Sequence, residues 1–205
     1  MSLGVIEAPG KYNADVVVSE GQPLGIPLSF GGPYLGIFAC KKSFIRKIPG
    51  RISGETVDEN GVRSYVLTLQ TREQQIKREK ATSNICTNQG LFMLASTVYM
   101  EAMGKQGYKE ISEQCFHRAH YLAREIEKLK GFKLSSSNPF YNEFLVDTPA
   151  PPKEIVHYAE ENGVLAGIDT SRFEGHKKGL LIAVTEKRTK EEMNKLIELL
   201  KNFEK

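Results

Sequence analysis

The sequence predicts a fold of the α/β and α+β classes, and three observations support this prediction. The first seventy residues are rich in glycine and contain short β-branched runs that are typical of strands. The residues after 108 alternate between helical apolar periodicity and short strand-like runs. Gly104 and Gly107 separate the two patterns, so we expect two domains, residues 1–104 and residues 105–205.

Four short runs in the first part, rich in β-branched or aromatic residues, predict the strands 15–18, 35–39, 52–57 and 64–69. Asn60-Gly61 lies between the last two and is typical of a hairpin turn. No long helical pattern accompanies them, although a sheet needs cover on its faces and edges. Two interpretations stay open. The segment ends an α/β domain whose first part lies elsewhere, or it is a self-contained β subdomain packed on the later helices.

A helical stripe of apolar residues runs from Leu91 to Met103, and Gly104 is expected to end that helix. Beyond residue 108 the predicted order of elements is α-β-β-α-β-β-α. Helices are expected at 111–129, at 153–162 and from 189 onward, and strands at 132–134, 143–146, 165–168 and 179–184. Thr189 and Glu192 form a Thr-x-x-Glu capping box at the start of the last helix.

Composition argues against several classes of function. Lys and Arg total 28 and Asp and Glu total 25, a net charge of +3, so a dedicated nucleic-acid binder is not expected. No apolar run reaches the roughly 18 residues that a membrane-spanning helix needs. Residues 1–10 lack the basic and hydrophobic regions of a signal peptide, and the three cysteines lie far apart, which favours a reducing cytoplasm.

Metal binding is not expected from the histidines. His117 and His120 are three residues apart on one predicted helix, but no third ligand has a recognisable spacing. Solvent-facing histidines are the simpler interpretation. No Ser–His–acid or Cys–His set can be placed from the sequence, so the residue types alone do not identify a reaction.

Three long stretches of the sequence identify a family. They are ADVVVSEGQPLG at residues 14–25 with SFGGPYLG at 29–36, PGRISGETVD at 49–58, and LTLQTREQ at 67–74 running on to ATSNICTNQ at 81–89. These stretches resemble the glycine cleavage system P-protein, glycine dehydrogenase (decarboxylating), and in particular subunit 1 (the α chain) of its two-subunit form. The resemblance covers essentially the whole chain.

This resemblance implies the C-terminal part of a fold type I PLP-dependent transferase: the end of the large sheet domain, then the small α+β C-terminal domain. The family enzyme is a pyridoxal-phosphate-dependent oxidoreductase of glycine catabolism. It decarboxylates glycine and transfers the remaining aminomethyl group to the lipoyl H-protein. The implied partners are therefore the H-protein and subunit 2 (the β chain), with which subunit 1 forms a heterotetramer.

The Schiff-base lysine of the family belongs to subunit 2, and the resemblance places Gln22 at the corresponding position of this chain. An amide cannot form an imine, so pyridoxal phosphate is expected on the partner subunit and no catalytic residue is expected here. The chain alone is expected to be inactive. Its implied role is to complete the interface site of its partner.

The candidate contributions to that site are Thr68, Gln70, Thr71 and Arg72, with Arg51 and Asn84 behind them. The guanidinium groups suit phosphate or carboxylate, which they bind bidentately. The alternative for each residue is a structural role. A different function also stays open, in which the chain is a non-catalytic scaffold and residues 108–205 dock the H-protein through exposed Lys and Arg.

Overall fold

The computed structural model describes residues 1–48, 52–68, 77–81, 89–174 and 179–204. The chain forms two compact units. One consists of Met1–Ile6 with Gly104–Lys205, here called the 104–205 unit, and the other is Glu7–Met103, here called the 7–103 unit. Within the described ranges, no helix combines the length and the hydrophobicity that a membrane span requires.

The 7–103 unit contains two antiparallel strand pairs. Strand β1 (Val16–Glu20) pairs with β2 (Gly36–Cys40), and β3 (Ile52–Val57) pairs with β4 (Arg63–Thr68). The four predicted strands are therefore confirmed, with bounds that shift by at most two residues. Most of their side chains are exposed, so these strands contribute little to a buried core.

The predicted hairpin turn between β3 and β4 is confirmed. Asp58 Oδ1 accepts hydrogen bonds from the backbone N–H groups of Asn60 and Val62, at 2.8 and 2.9 Å. Gly61 has a φ of 76°, a left-handed conformation that glycine adopts without steric cost. The turn is thus specified locally, by an aspartate that caps it and a glycine that closes it.

Helix α1 (Gly90–Glu127) crosses the boundary between the two units, and its helical geometry is interrupted at Gly104, where φ is 60° and ψ is 179°. The sequence predicted that this helix ends at Gly104 and that a domain boundary lies near residues 104–107. The interruption does lie at Gly104, but the helix then resumes, and Gly107 lies within it. One glycine suffices because this backbone conformation is open almost only to glycine.

The 104–205 unit contains a four-stranded antiparallel sheet in the order β5-β6-β8-β7. Its strands are β5 (Lys133–Leu134), β6 (Glu143–Asp147), β7 (Ile168–Asp169) and β8 (Gly179–Ala183). Helices α2 (Pro152–Glu161) and α3 (Lys190–Lys201) accompany the second part of α1. The predicted order α-β-β-α-β-β-α is confirmed.

The predicted strand at residues 165–168 is mostly wrong. Strand β7 has only two residues, Ile168 and Asp169, which pair with Leu181 and Leu180. Gly167 has a φ of 153°, and a Cβ atom there would lie 2.3 Å from the Leu181 carbonyl oxygen, so the residue before β7 has a backbone conformation that is not that of a strand. Apolar composition alone could not distinguish this conformation from a strand.

The hydrophobic core lies in the 104–205 unit. Its fully buried side chains come from α1, both central strands and the two later helices, and include Ile126, Val146, Ile155, Leu180 and Leu200. Among the described residues of the 7–103 unit, the buried hydrophobic side chains are Leu24 and Ile26. The two units therefore differ greatly in how much apolar surface they bury.

Candidate functional site

The candidate site is built around residues 21–35, here called the 21–35 loop, which joins β1 to β2. Glu20 is the last residue of β1, and its Oε1 accepts hydrogen bonds from the N–H of Gln22 (2.9 Å) and of Leu35 (3.2 Å). Gly21 N–H also donates to the Leu35 carbonyl at 2.6 Å. One carboxylate and one backbone bond thus hold the two ends of the loop together.

Gln22 occupies the first turn of this loop. Its side-chain Nε2 donates to the carbonyl oxygen of Pro27 at 3.3 Å, and its own carbonyl accepts from Ile26 N–H at 3.1 Å. The 21–35 loop contains no lysine, and an amide nitrogen is not a nucleophile toward an aldehyde. This position therefore does not fit a covalently held pyridoxal group, and no reaction step is assigned to it.

Part of the loop packs within the 7–103 unit. Leu24 and Ile26 are buried, and Gly25 between them has a φ of 82°. A Cβ atom at Gly25 would lie 2.8 Å from the side chain of Tyr99 on α1. Glycine is therefore required at this position, both for the backbone conformation and for the close approach to the helix.

Of the six candidate cofactor-binding residues, the structure describes Thr68. It ends β4, is half-buried, and its Oγ1 donates to the carbonyl oxygen of Ile52 on β3 at 3.0 Å. This bond fits the structural alternative, because it closes the open end of the hairpin. Thr68 and Gln22 share no hydrogen bond. The other candidates lie outside the described residues: Arg51, Gln70, Thr71, Arg72 and Asn84.

The sequence of this chain matches that of a known family along almost its entire length. The sequence profile of the glycine cleavage system P-protein matches residues 1–200. The chain belongs to the glycine cleavage system P-protein family. Among curated relatives, a probable glycine dehydrogenase (decarboxylating) subunit 1 from Chloroherpeton thalassium is 55% identical over 203 residues, which are 99% of this chain and 45% of that protein. A protein of the same name from Dictyoglomus turgidum is 52% identical, over 98% of this chain and 45% of that protein. This P-protein chain thus spans about half the length of these relatives.

Solved structures support the same family and fold. A crystal structure of glycine decarboxylase (P-protein) of the glycine cleavage system, in inhibitor-bound form, is 40% identical with a TM-score of 0.90, covering 98% of this chain and 46% of that one. A cysteine desulfurase from Escherichia coli, 14% identical with a TM-score of 0.60 and coverage of 94% and 47%, shares the fold alone. The predicted fold class, that of fold type I PLP-dependent transferases, is confirmed.

A partly buried polar cluster in the 104–205 unit of this P-protein chain was missed at the level of sequence. The Cys115 thiol lies 3.3 Å from Glu186 Oε2, and Glu186 N–H donates back to Cys115 Sγ at 3.3 Å. Arg118, one turn along α1, donates to the carbonyl oxygens of Glu186 and Arg188. The cluster ties α1 to the segment before α3. No spacing signal could have revealed it, because its members are about 70 residues apart in sequence.

This cluster makes stability sensitive to alkaline pH. Burial raises the pKa of the Cys115 thiol above its ordinary value of 9.0. Burial, with the neighbouring Cys115 charge second, raises the pKa of Tyr141, whose hydroxyl donates to the Ser112 carbonyl at 3.1 Å, above its ordinary value of 10.0. Between the ordinary and the raised pKa values, the folded chain keeps protons that the unfolded chain has lost.

Stability is therefore expected to fall as the pH rises above about 9, since the unfolded state then binds fewer protons. Urea unfolding at pH 7 and pH 10 measures this loss. The double variant Cys115→Ala, Tyr141→Phe should show a smaller loss between the two pH values. Tyr12→Phe, at an exposed tyrosine, is the matched control and should keep the parent's pH dependence. Equal pH dependence of the free energy of unfolding in all three proteins would show that Cys115 and Tyr141 do not cause the alkaline loss of stability.

The two histidines on α1 have different surroundings. His117 is exposed, as expected. The expectation of a solvent-facing side chain holds only in part for His120, which is half-buried. Its Nε2 lies 3.1 Å from the Phe140 carbonyl oxygen, and its ring stacks on that of Phe140, with centroids 4.1 Å apart. In the part of the chain that the structure describes, no group of three or more His, Cys, Asp or Glu side chains is placed to hold a metal ion.

The 104–205 unit also has an open groove of about 440 Å³. Its apolar floor is formed by Leu122, Val164, Ile182, Met193 and Leu196. Exposed charged side chains of Arg188, Glu192 and Lys195 border it, and Glu192 already caps α3 through Thr189. None of the predicted site residues lines this groove. Docking of the H-protein by residues 108–205 stays a prediction.

Proposed function

We propose that this chain is part of subunit 1 of glycine dehydrogenase (decarboxylating), the P-protein of the glycine cleavage system. The observation that carries the proposal is its identity of 51–55% with proteins of that name over 96–99% of its own length. In this proposal residues 1–104 are the end of the large domain, with the linker helix, and residues 105–205 are the small C-terminal domain. The complete subunit works in the cytoplasm with subunit 2, in a heterotetramer.

The reaction proposed for the complex is decarboxylation of glycine and transfer of the aminomethyl group to the lipoyl H-protein. Pyridoxal phosphate supplies the electron sink for this chemistry when it is bound. Subunit 2 holds it, because Gln22 offers this chain no amine at the attachment position and keeps its amide on the Pro27 carbonyl instead. The role of this chain is to complete and shape the site of its partner.

Six residues are the proposed contributors to the partner's site. Arg72 and Arg51 have guanidinium groups that suit the cofactor phosphate or the substrate carboxylate. Thr68, Gln70, Thr71 and Asn84 offer neutral hydrogen-bonding groups. Thr68 would contribute mainly as a hydrogen-bond acceptor, since its hydroxyl already donates to the Ile52 carbonyl.

The test compares the complete natural subunit 1 that contains this sequence with the reconstituted pair. Subunit 1 alone is expected to show no pyridoxal absorbance and no exchange of the glycine carboxyl group with bicarbonate, whereas the pair shows both. Gln22→Ala should leave the cofactor content of the pair unchanged. Gln22→Glu, which keeps a polar side chain of similar size, is the control and should also leave it unchanged. Exchange activity from subunit 1 alone, or cofactor lost on replacing Gln22, would refute the proposal.

A further inference from the structure

We draw no further inference here: the strongest candidate, the open groove of about 440 Å³ that α1, β8 and α3 line in the 104–205 unit, carries none, because nothing in the structure shows what covers its apolar floor.

Discussion

Replacing Gly167 with alanine is expected to lower the free energy of unfolding of the 104–205 unit by about 3 kcal/mol or more. Gly167 has a φ of 153°, which alanine rarely adopts, and a Cβ atom there would lie 2.3 Å from the Leu181 carbonyl oxygen. Both groups belong to fixed backbone, because Ile168, the next residue, pairs with Leu181 in the sheet. The clash can be relieved only by moving β7 away from β8.

Gly163→Ala is the matched control for this prediction. Gly163 ends α2 with a φ of 73°, and its Cβ atom would meet only the flexible end of Lys195, at 3.7 Å. Alanine there should lower the free energy of unfolding by about 1 kcal/mol, because only the left-handed backbone conformation is unfavourable. Urea unfolding of the three proteins measures the difference. Equal destabilisation by the two substitutions would show that the close approach of Gly167 to Leu181 contributes nothing.

Leu180→Ala is expected to destabilise the same unit by about 2–5 kcal/mol. Leu180 is fully buried on β8, the strand that pairs with both β6 and β7, where it lies opposite Val146 and Asp169. Its side chain packs in the core formed by α1, the sheet and the later helices. Truncation there removes buried apolar surface and leaves a cavity that a rigid sheet cannot close.

Leu165→Ala is the control, because it removes the same atoms from a side chain that is 86% exposed. Its effect on the free energy of unfolding should stay within about 0.5 kcal/mol. Both variants are compared by urea unfolding with the slope of the transition checked for constancy. Comparable losses at the two positions would contradict the placement of the core, since an exposed leucine and a buried one would then be equivalent.

Features set by neighbours in sequence were predictable. The capping box of α3 forms as its residue types require, with Thr189 N–H and Glu192 N–H each bonded to the other's side chain, at 2.8 and 3.2 Å. The hairpin turn at Asn60-Gly61 and the end of α2 at Gly163 follow in the same way, because each depends on one residue's φ or one local hydrogen bond. The family was identified for a related reason, since long motifs are read directly along the chain.

The candidate site was predictable in its chemistry and not in its geometry. That an amide at Gln22 cannot hold an aldehyde covalently follows from the residue type alone. The structure was needed to show that this amide donates to the Pro27 carbonyl and that the Thr68 hydroxyl donates to the Ile52 carbonyl. Both hydrogen bonds depend on how the chain turns back on itself. The φ of 46° at Phe30 was not predictable either, because a bulky residue rarely adopts the left-handed conformation.

By itself the sequence of this P-protein chain determined the order of its elements, its caps and turns, and the absence of an amine where the family's cofactor would attach. Only the tertiary structure decided the short β7 and the pairing of Cys115 with Glu186. The physical reason is the range of the interactions. Local patterns act over a few residues, whereas these features depend on groups brought together across the fold, up to 71 positions apart.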